Sequence, residues 1–138
     1  MSAWRGSCHC GAVGFEYRTE KPPAEWSVRA CQCSFCLKHG ACYTSDPAGS
    51  VRFAYEDATA VARYRFGQET ADFIFCSRCG GYLGAVTEEG GQALMVLNLR
   101  ALDPAPAALP AAQPMSYEGE TKTDRDSRRA ARWTPLRN

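Results

Sequence analysis

The sequence predicts an all-β domain with little helix, and three observations predict it. Apolar residues alternate with polar ones at a period of two along most of the chain, as in Val13, Phe15 and Tyr17 set against Gly14, Glu16 and Arg18. The alternating runs are short and are separated by turn chemistry such as Asp46-Pro47-Ala48-Gly49 and Glu88-Glu89-Gly90-Gly91. A length of 138 residues, with 45% hydrophobic and 11% aromatic content, supplies one ordinary core and excludes a disordered or collagen-like chain.

The elements follow in order. A first strand is expected over Val13–Tyr17, closed by Lys21-Pro22-Pro23, because proline ends a ladder. Further short strands are expected over 26–31, 41–45, 51–55, 60–66, 71–76, 82–87 and 93–99. Residues 34–39, ahead of Gly40, are the one place where a short helix fits. Four prolines between 103 and 114 make an extended connection that leads to a last strand at 114–118. From Gly119 onward Lys122, Arg125, Arg128, Arg129, Arg132 and Arg137 stand among Asp124 and Asp126. That pattern fits a solvated basic tail or short helix, and phosphate or carboxylate binding by the arginines is the sharper alternative. The domain is thus expected over residues 1–118, with 119–138 as a charged tail packed on it or extending from it.

A net charge of +1, from 16 basic and 15 acidic residues, removes the broad basic surface that nucleic-acid binding needs. No run approaches the ~18 apolar residues of a membrane span; the best, 93–99, is strand-sized. No apolar segment precedes Cys8, so the sequence predicts a cytoplasmic protein with neither a nucleic-acid nor a membrane partner.

Eight cysteines suit a disulfide framework only in a short secreted chain without a core. Seven of them are clustered, as Cys8-x-Cys10, Cys31-x-Cys33-x-x-Cys36 and Cys76-x-x-Cys79, with Cys42 apart. Such clusters suit one ion gathering several thiolates. An iron–sulfur cluster also takes thiolates, but the glycine that follows the second cysteine, Gly11 and Gly80, is the mark of a zinc knuckle. Seven ligands divide most simply into four and three. Cys8, Cys10, Cys76 and Cys79 are two arms distant in sequence, and closing them on one zinc gives a structural site of net charge −2 with no open position. Cys31, Cys33 and Cys36 leave a second zinc with a fourth position for water or a thiol.

Ser7-Cys8-His9-Cys10-Gly11-Ala12-Val13, Cys31-Gln32-Cys33-Ser34-Phe35-Cys36 and Phe75-Cys76-Ser77-Arg78-Cys79-Gly80-Gly81 occur in this order. Together they resemble the glutathione-dependent formaldehyde-activating enzyme (GFA) family, which includes the centromere protein V group, over roughly residues 4–105. The resemblance implies a small β-tent fold with two zinc sites. Position by position, it makes Cys8, Cys10, Cys76 and Cys79 the structural ligands and Cys31, Cys33 and Cys36 the site tied to catalysis beside a glutathione-binding surface. Gln32 stands where many members carry histidine.

The function expected is that of a zinc-dependent carbon–sulfur lyase, a thiol–aldehyde adduct-forming enzyme like S-(hydroxymethyl)glutathione synthase, acting on glutathione or a related small thiol. A zinc lowers the pKa of a thiol in its open position, and the thiolate attacks a carbonyl such as formaldehyde. The alternative is a binding module with two structural zincs, and a third reading is a thiol sensor. The number of ligands in the second site separates the first two. Cys42 fits a small buried hydrophobe on the strand 41–45, and also a fourth ligand or a free thiol. His39 is an acid/base candidate, a further ligand or a surface group, and His9 points away from its metal. Trp4 and Trp26 are expected in packing; Lys38, Arg29 and Arg63 are candidates for the carboxylates of glutathione.

Overall fold

The structure, a computed structural model, describes residues 2–138. The elements run β1 (Ser2–Ser7), β2 (Val13–Thr19), β3 (Arg29–Cys31), α1 (Ser34–His39), β4 (Tyr43–Thr44), β5 (Ser50–Tyr55) and β6 (Val61–Tyr64). They continue β7 (Asp72–Cys76), β8 (Tyr82–Glu89), β9 (Gln92–Asn98), β10 (Gln113–Met115), α2 (Lys122–Arg132) and β11 (Thr134–Pro135). The protein is mainly β, as the alternation predicts, and α2 is the one substantial helix among the described residues. Among the described residues no helix is long and apolar enough to cross a membrane.

Two sheets enclose the core. The smaller is β1-β2-β5, antiparallel throughout, with Phe15 opposite Gly6 and Phe53. The larger has the order β10-β3-β4-β9-β8-β7-β6, with β11 added on β9. Strand β9 explains why the run after Gln92 is apolar without alternation. Its Met95 and Leu97 join Phe15, Tyr17, Val51, Ile74 and Leu83 in the main core, while Leu94 and Val96 face a second cluster with Tyr43, Tyr82, Ala85 and Trp133. A strand buried on both faces has no polar side to show. Phe15, Tyr17, Ile74, Leu83, Met95 and Leu97 are each 1% exposed or less. Each such burial contributes about 1.5–3 kcal/mol against the entropy of ordering the chain.

One departure from the sequence expectation, strand β1, has a clear cause, and the short helix allowed for after Gly119 is present. Strand β1 was not legible, because Ser2–Ser7 presents only Trp4 as a large apolar residue; it is an edge strand held by its ladder to β2. Beyond Gly119 the chain forms α2, whose first turn is capped by Thr121 accepting from Asp124 N at 3.1 Å. It then pairs Thr134 with Met95 on β9, and Arg137 N donates to Val51 O at 2.8 Å on β5. This segment therefore touches both sheets. The proline-rich connection delivers β10 parallel to β3, with Met115 opposite Cys31, which brings residues 116–118 to the end of the cysteine run.

Candidate functional site

The first cysteine cluster is built where two hairpin-like turns meet. Cys8 and Cys10 lie between β1 and β2, while Cys76 ends β7 and Cys79 lies in the turn between β7 and β8. Cys10 Sγ is 3.7 Å from both Cys8 Sγ and Cys76 Sγ, and all four sulfurs lie within 4.8 Å of one another. Four sulfurs set about 2.3 Å from a common tetrahedral centre are about 3.8 Å apart, whereas a disulfide closes to about 2.05 Å. Backbone N–H groups of Val13, Arg78 and Gly81 each donate to a sulfur, of Cys8, Cys76 and Cys79 respectively, at 3.4 Å. The donors are presented because the chain reverses through Gly11 (φ +85°) and Gly80 (φ +76°), the left-handed geometry predicted for knuckles. Backbone N–H groups of Cys10 and Gly81 hold the Cys79 thiol down to about 6, in the direction a cation ligand needs.

The second cluster is local. Cys31 ends β3, Cys33 caps α1 with its Sγ accepting from Cys36 N at 3.4 Å, and Cys36 sits in the first turn of the helix, so three sulfurs fall within 4.8 Å. The thiol of Cys31 is held down to about 6 by hydrogen bonding with Cys36, and that bond together with burial pushes Cys36 up. Three adjacent thiols cannot all ionise unaided, and a cation among them resolves the conflict. Tyr43 Oη lies 2.9 Å from Cys36 Sγ and 2.8 Å from Tyr82 Oη, a buried chain of hydrogen bonds that fixes the Cys36 side chain. The two donor sets are consistent with two zinc sites.

The second cluster opens into a cavity. A space of about 480 Å³, in the range of small-molecule sites, is lined by Cys31, Cys33, Cys36 and Tyr43 on one part of its wall. Arg125, Arg128, Arg129 and Trp133 from the α2 segment, with Tyr117 and Glu118, form another part. Glu120 anchors this second part: Arg128 donates to both of its carboxylate oxygens, at 2.8 and 3.0 Å, and Arg125 adds a bond at 2.9 Å. The Arg128 guanidinium also lies 3.7 Å over the Tyr117 ring.

A sequence model of the glutathione-dependent formaldehyde-activating enzyme family matches residues 3–117, most of the chain. The chain belongs to that family. A solved structure similar to this member is that of a Rhodobacter sphaeroides protein from structural genomics, at 29% identity and a TM-score of 0.64, covering 80% of this chain and 99% of that one. The matched span of the GFA-family chain contains all seven clustered cysteines and stops before α2.

Other sequence candidates fall elsewhere in this GFA-family member. Cys42 belongs to neither cluster and packs against the main core. His39 is exposed, with Nδ1 2.9 Å from Phe35 O and its ring stacked on Phe35, and it does not line the cavity. His9 is exposed. Trp26 is buried and meets Trp4 edge-on, as expected of packing residues. Of the three basic candidates, Arg29 lines the cavity; Arg63 pairs with Asp72 and Lys38 is exposed on α1. The sequence reading missed Tyr43 and Tyr82, whose hydroxyls meet only through the pairing of distant strands. It gave the α2 arginines only as a minority reading, because the basic run carried no sign of what it would fold against.

Proposed function

We propose that the protein joins a small thiol to an aldehyde, or cleaves such an adduct, as a carbon–sulfur lyase of the glutathione-dependent formaldehyde-activating type. Cys31, Cys33 and Cys36 would hold the zinc that serves the reaction, and Cys8, Cys10, Cys76 and Cys79 a structural one. The observation that carries this reading is the asymmetry of the two clusters. The three-cysteine set lines the cavity, while none of the four-cysteine set does. A bound zinc supplies a Lewis acid that lowers the pKa of a thiol in the position the three cysteines leave open.

The chain's own groups do the rest. Tyr43, backed by Tyr82, holds Cys36 in one rotamer, so that the ligand set is rigid before substrate arrives. Phe66, Phe73 and Trp133 give the cavity an apolar lining that excludes water from the reacting sulfur. In the forward direction a carbon–sulfur bond forms, the carbonyl π bond breaks, and the proton that leaves sulfur ends on the carbonyl oxygen. Glu118 is the one carboxylate among the lining residues, and so the group in the wall able to accept and return that proton. His39, which stands outside the cavity, has no part in it.

The test is native mass spectrometry with a rate assay. Two zincs per chain are expected, with a glutathione adduct on the wild type. Cys36→Ser should lose one zinc, and Cys42→Ser should keep both. Formation of S-(hydroxymethyl)glutathione, followed by NMR, should exceed the spontaneous rate at least tenfold and fall to it in Cys36→Ser. A second zinc that is lost with Cys42, or that takes no thiol, would make the site a closed structural one and favour the binding module.

A further inference from the structure

A row of side chains crosses the large sheet beside the three cysteines, with rings at its two ends and small residues between them. Phe73 on β7 pairs with Ala85 on β8, and Ala85 pairs with Val96 on β9, so the three share one face of the sheet. Trp133 stands immediately before Thr134, which pairs with Met95, so β11 brings the indole to the far end of the row, next to Val96. Neighbouring strands are about 4.8 Å apart, which sets the backbones of Phe73 and Trp133 about 14 Å from each other. Only the methyl of Ala85 and the isopropyl group of Val96 stand between them. All four residues line the cavity that the three cysteines enter. Both ends are buttressed: the Phe66 and Phe35 rings each lie 4.7 Å from that of Phe73, and the Arg129 guanidinium lies 4.8 Å from the Trp133 ring centre.

Keeping water from a sulfur calls for a closed wall, and protein interiors close by packing large side chains against one another. Here two small residues leave a slot between two large ones, and Phe66 and Phe73 stay partly exposed beside it. Formaldehyde, one carbon and one oxygen, is close in size to a water molecule of about 30 Å³ and brings no apolar surface to cover those rings. An apolar space of about 150 Å³ takes a benzene ring, and the cavity as a whole offers about 480 Å³. The slot is also continuous with the sulfurs. Cys36, Ala85, Val96 and Trp133 belong to one buried cluster, and Cys31, Cys33 and Phe73 pack against it. A group held in the slot is therefore within reach of a carbon joined to the reacting sulfur.

We infer that the row is a subsite for a flat apolar group carried on that carbon, so that this protein prefers an aryl-bearing aldehyde, or its thiol adduct, to formaldehyde. The slot rests on the row alone; the place of the ring group on the reacting carbon rests on the function proposed above. Phe73 and Trp133 meet the bound ring from opposite ends, in the offset or edge-on arrangements that aromatic pairs favour, and Ala85 sets the depth of the floor. The ring group takes no part in the bond changes. A carbon–sulfur bond forms, the carbonyl π bond breaks, and the proton of the thiol ends on the carbonyl oxygen, so no further reactant is consumed. One end of the slot, Trp133, lies outside the matched family span of residues 3–117.

The probe is 4-fluorobenzyl alcohol, a neutral ring that cannot react, titrated into the full chain and followed by fluorine NMR beside 2-fluoroethanol, which has no ring. The ring probe should bind at least tenfold more tightly, the range that a fitted hydrophobic pocket supplies. Ala85→Leu, which fills the floor, should weaken the ring probe at least tenfold and leave 2-fluoroethanol unchanged. Tyr55→Ala, an exposed ring outside the cavity wall, should bind like the wild type. Equal binding of the two probes to the wild type would overturn the subsite. So would undiminished ring binding in Ala85→Leu that keeps the native melting temperature; if that variant does not fold, Phe66→Ala, at the partly exposed buttress, is read by the same criterion. Rates of adduct formation with glutathione then separate the two ideas. Phenylacetaldehyde should give the higher kcat/KM, and a higher value for formaldehyde overturns the preference while leaving the reaction in place. Acceleration of neither aldehyde, with ring binding intact, overturns the reaction and leaves the subsite.

Discussion

Glu120 shows how one side chain can set the shape of a wall. Its carboxylate accepts from Arg128 twice and from Arg125 once, which holds both arginines against the cavity and leaves Arg128 stacked on Tyr117. Those bonds, Arg128 first, hold the Glu120 carboxyl down to about 2. A depressed carboxyl stabilises the fold fully above its unfolded pKa of about 4.5 and loses that contribution as pH falls toward about 2. Glu120→Gln is therefore expected to cost about 1–2 kcal/mol at neutral pH, the figure being reduced for solvent that reaches the pair. It should also flatten the loss of stability between pH 4.5 and 2, measured by urea unfolding at a series of pH values. An acid limb identical to the wild type would show that the pairs contribute nothing. The residue scale is also where the sequence was least informative. Glu120 had no visible partner in its own segment beyond a run of arginines, and Tyr43 and Tyr82 are 39 residues apart. Local periodicity reports which face a residue occupies and carries no information about which distant hydroxyl it meets.

The two knuckles are the elements the sequence revealed best, because everything they need is within a few residues: a pair of thiolates and a glycine that reverses the chain. One further glycine in the motif has a different duty. A Cβ on Gly81 would lie 2.9 Å from Cys8 Cβ and 3.2 Å from His9 N, so this position lets one knuckle seat against the other. Gly81→Ala should destabilise the protein by about 1–3 kcal/mol, as overpacking does, and should weaken metal retention at the four-cysteine site ahead of the three-cysteine site. Denaturant midpoints together with metal release to a chromogenic chelator would show it, and equal release from both sites would place the strain elsewhere. The helix α1 was legible over its full span, Ser34–His39, since Gly40 ends it with φ +59°. Strand β1 and the docking of α2 were not, because a polar edge strand and a basic amphipathic helix acquire their places only through pairing with distant strands.

Across the whole molecule the four-cysteine cluster is a long-range tie. It joins positions 66 residues apart, bringing the start of β2 and the end of β7 to one centre. Closing a loop of that length is worth about 4 kcal/mol in chain entropy, whereas the three-cysteine cluster closes only six residues. Cys76→Ser is accordingly expected to lower the melting temperature by roughly 10–20 °C and Cys31→Ser by less than about 5 °C, read by thermal denaturation. Equal shifts would contradict the division of labour between the clusters. That division into four and three was visible in the spacing of the cysteines, and the structure gathers the same seven sulfurs into the same two groups. What spacing could not show is that β11 zips onto β9 and that Arg137 reaches back to β5. This has a bearing on the order of events during synthesis on the ribosome. All four thiols of the long-range tie have been added by residue 79, while the cavity gains Arg125, Arg128, Arg129 and Trp133 only some fifty residues later. A nascent chain can thus gather its four-cysteine cluster well before its pocket has a complete wall, and the three thiols of the other cluster stay open to solvent in the interval.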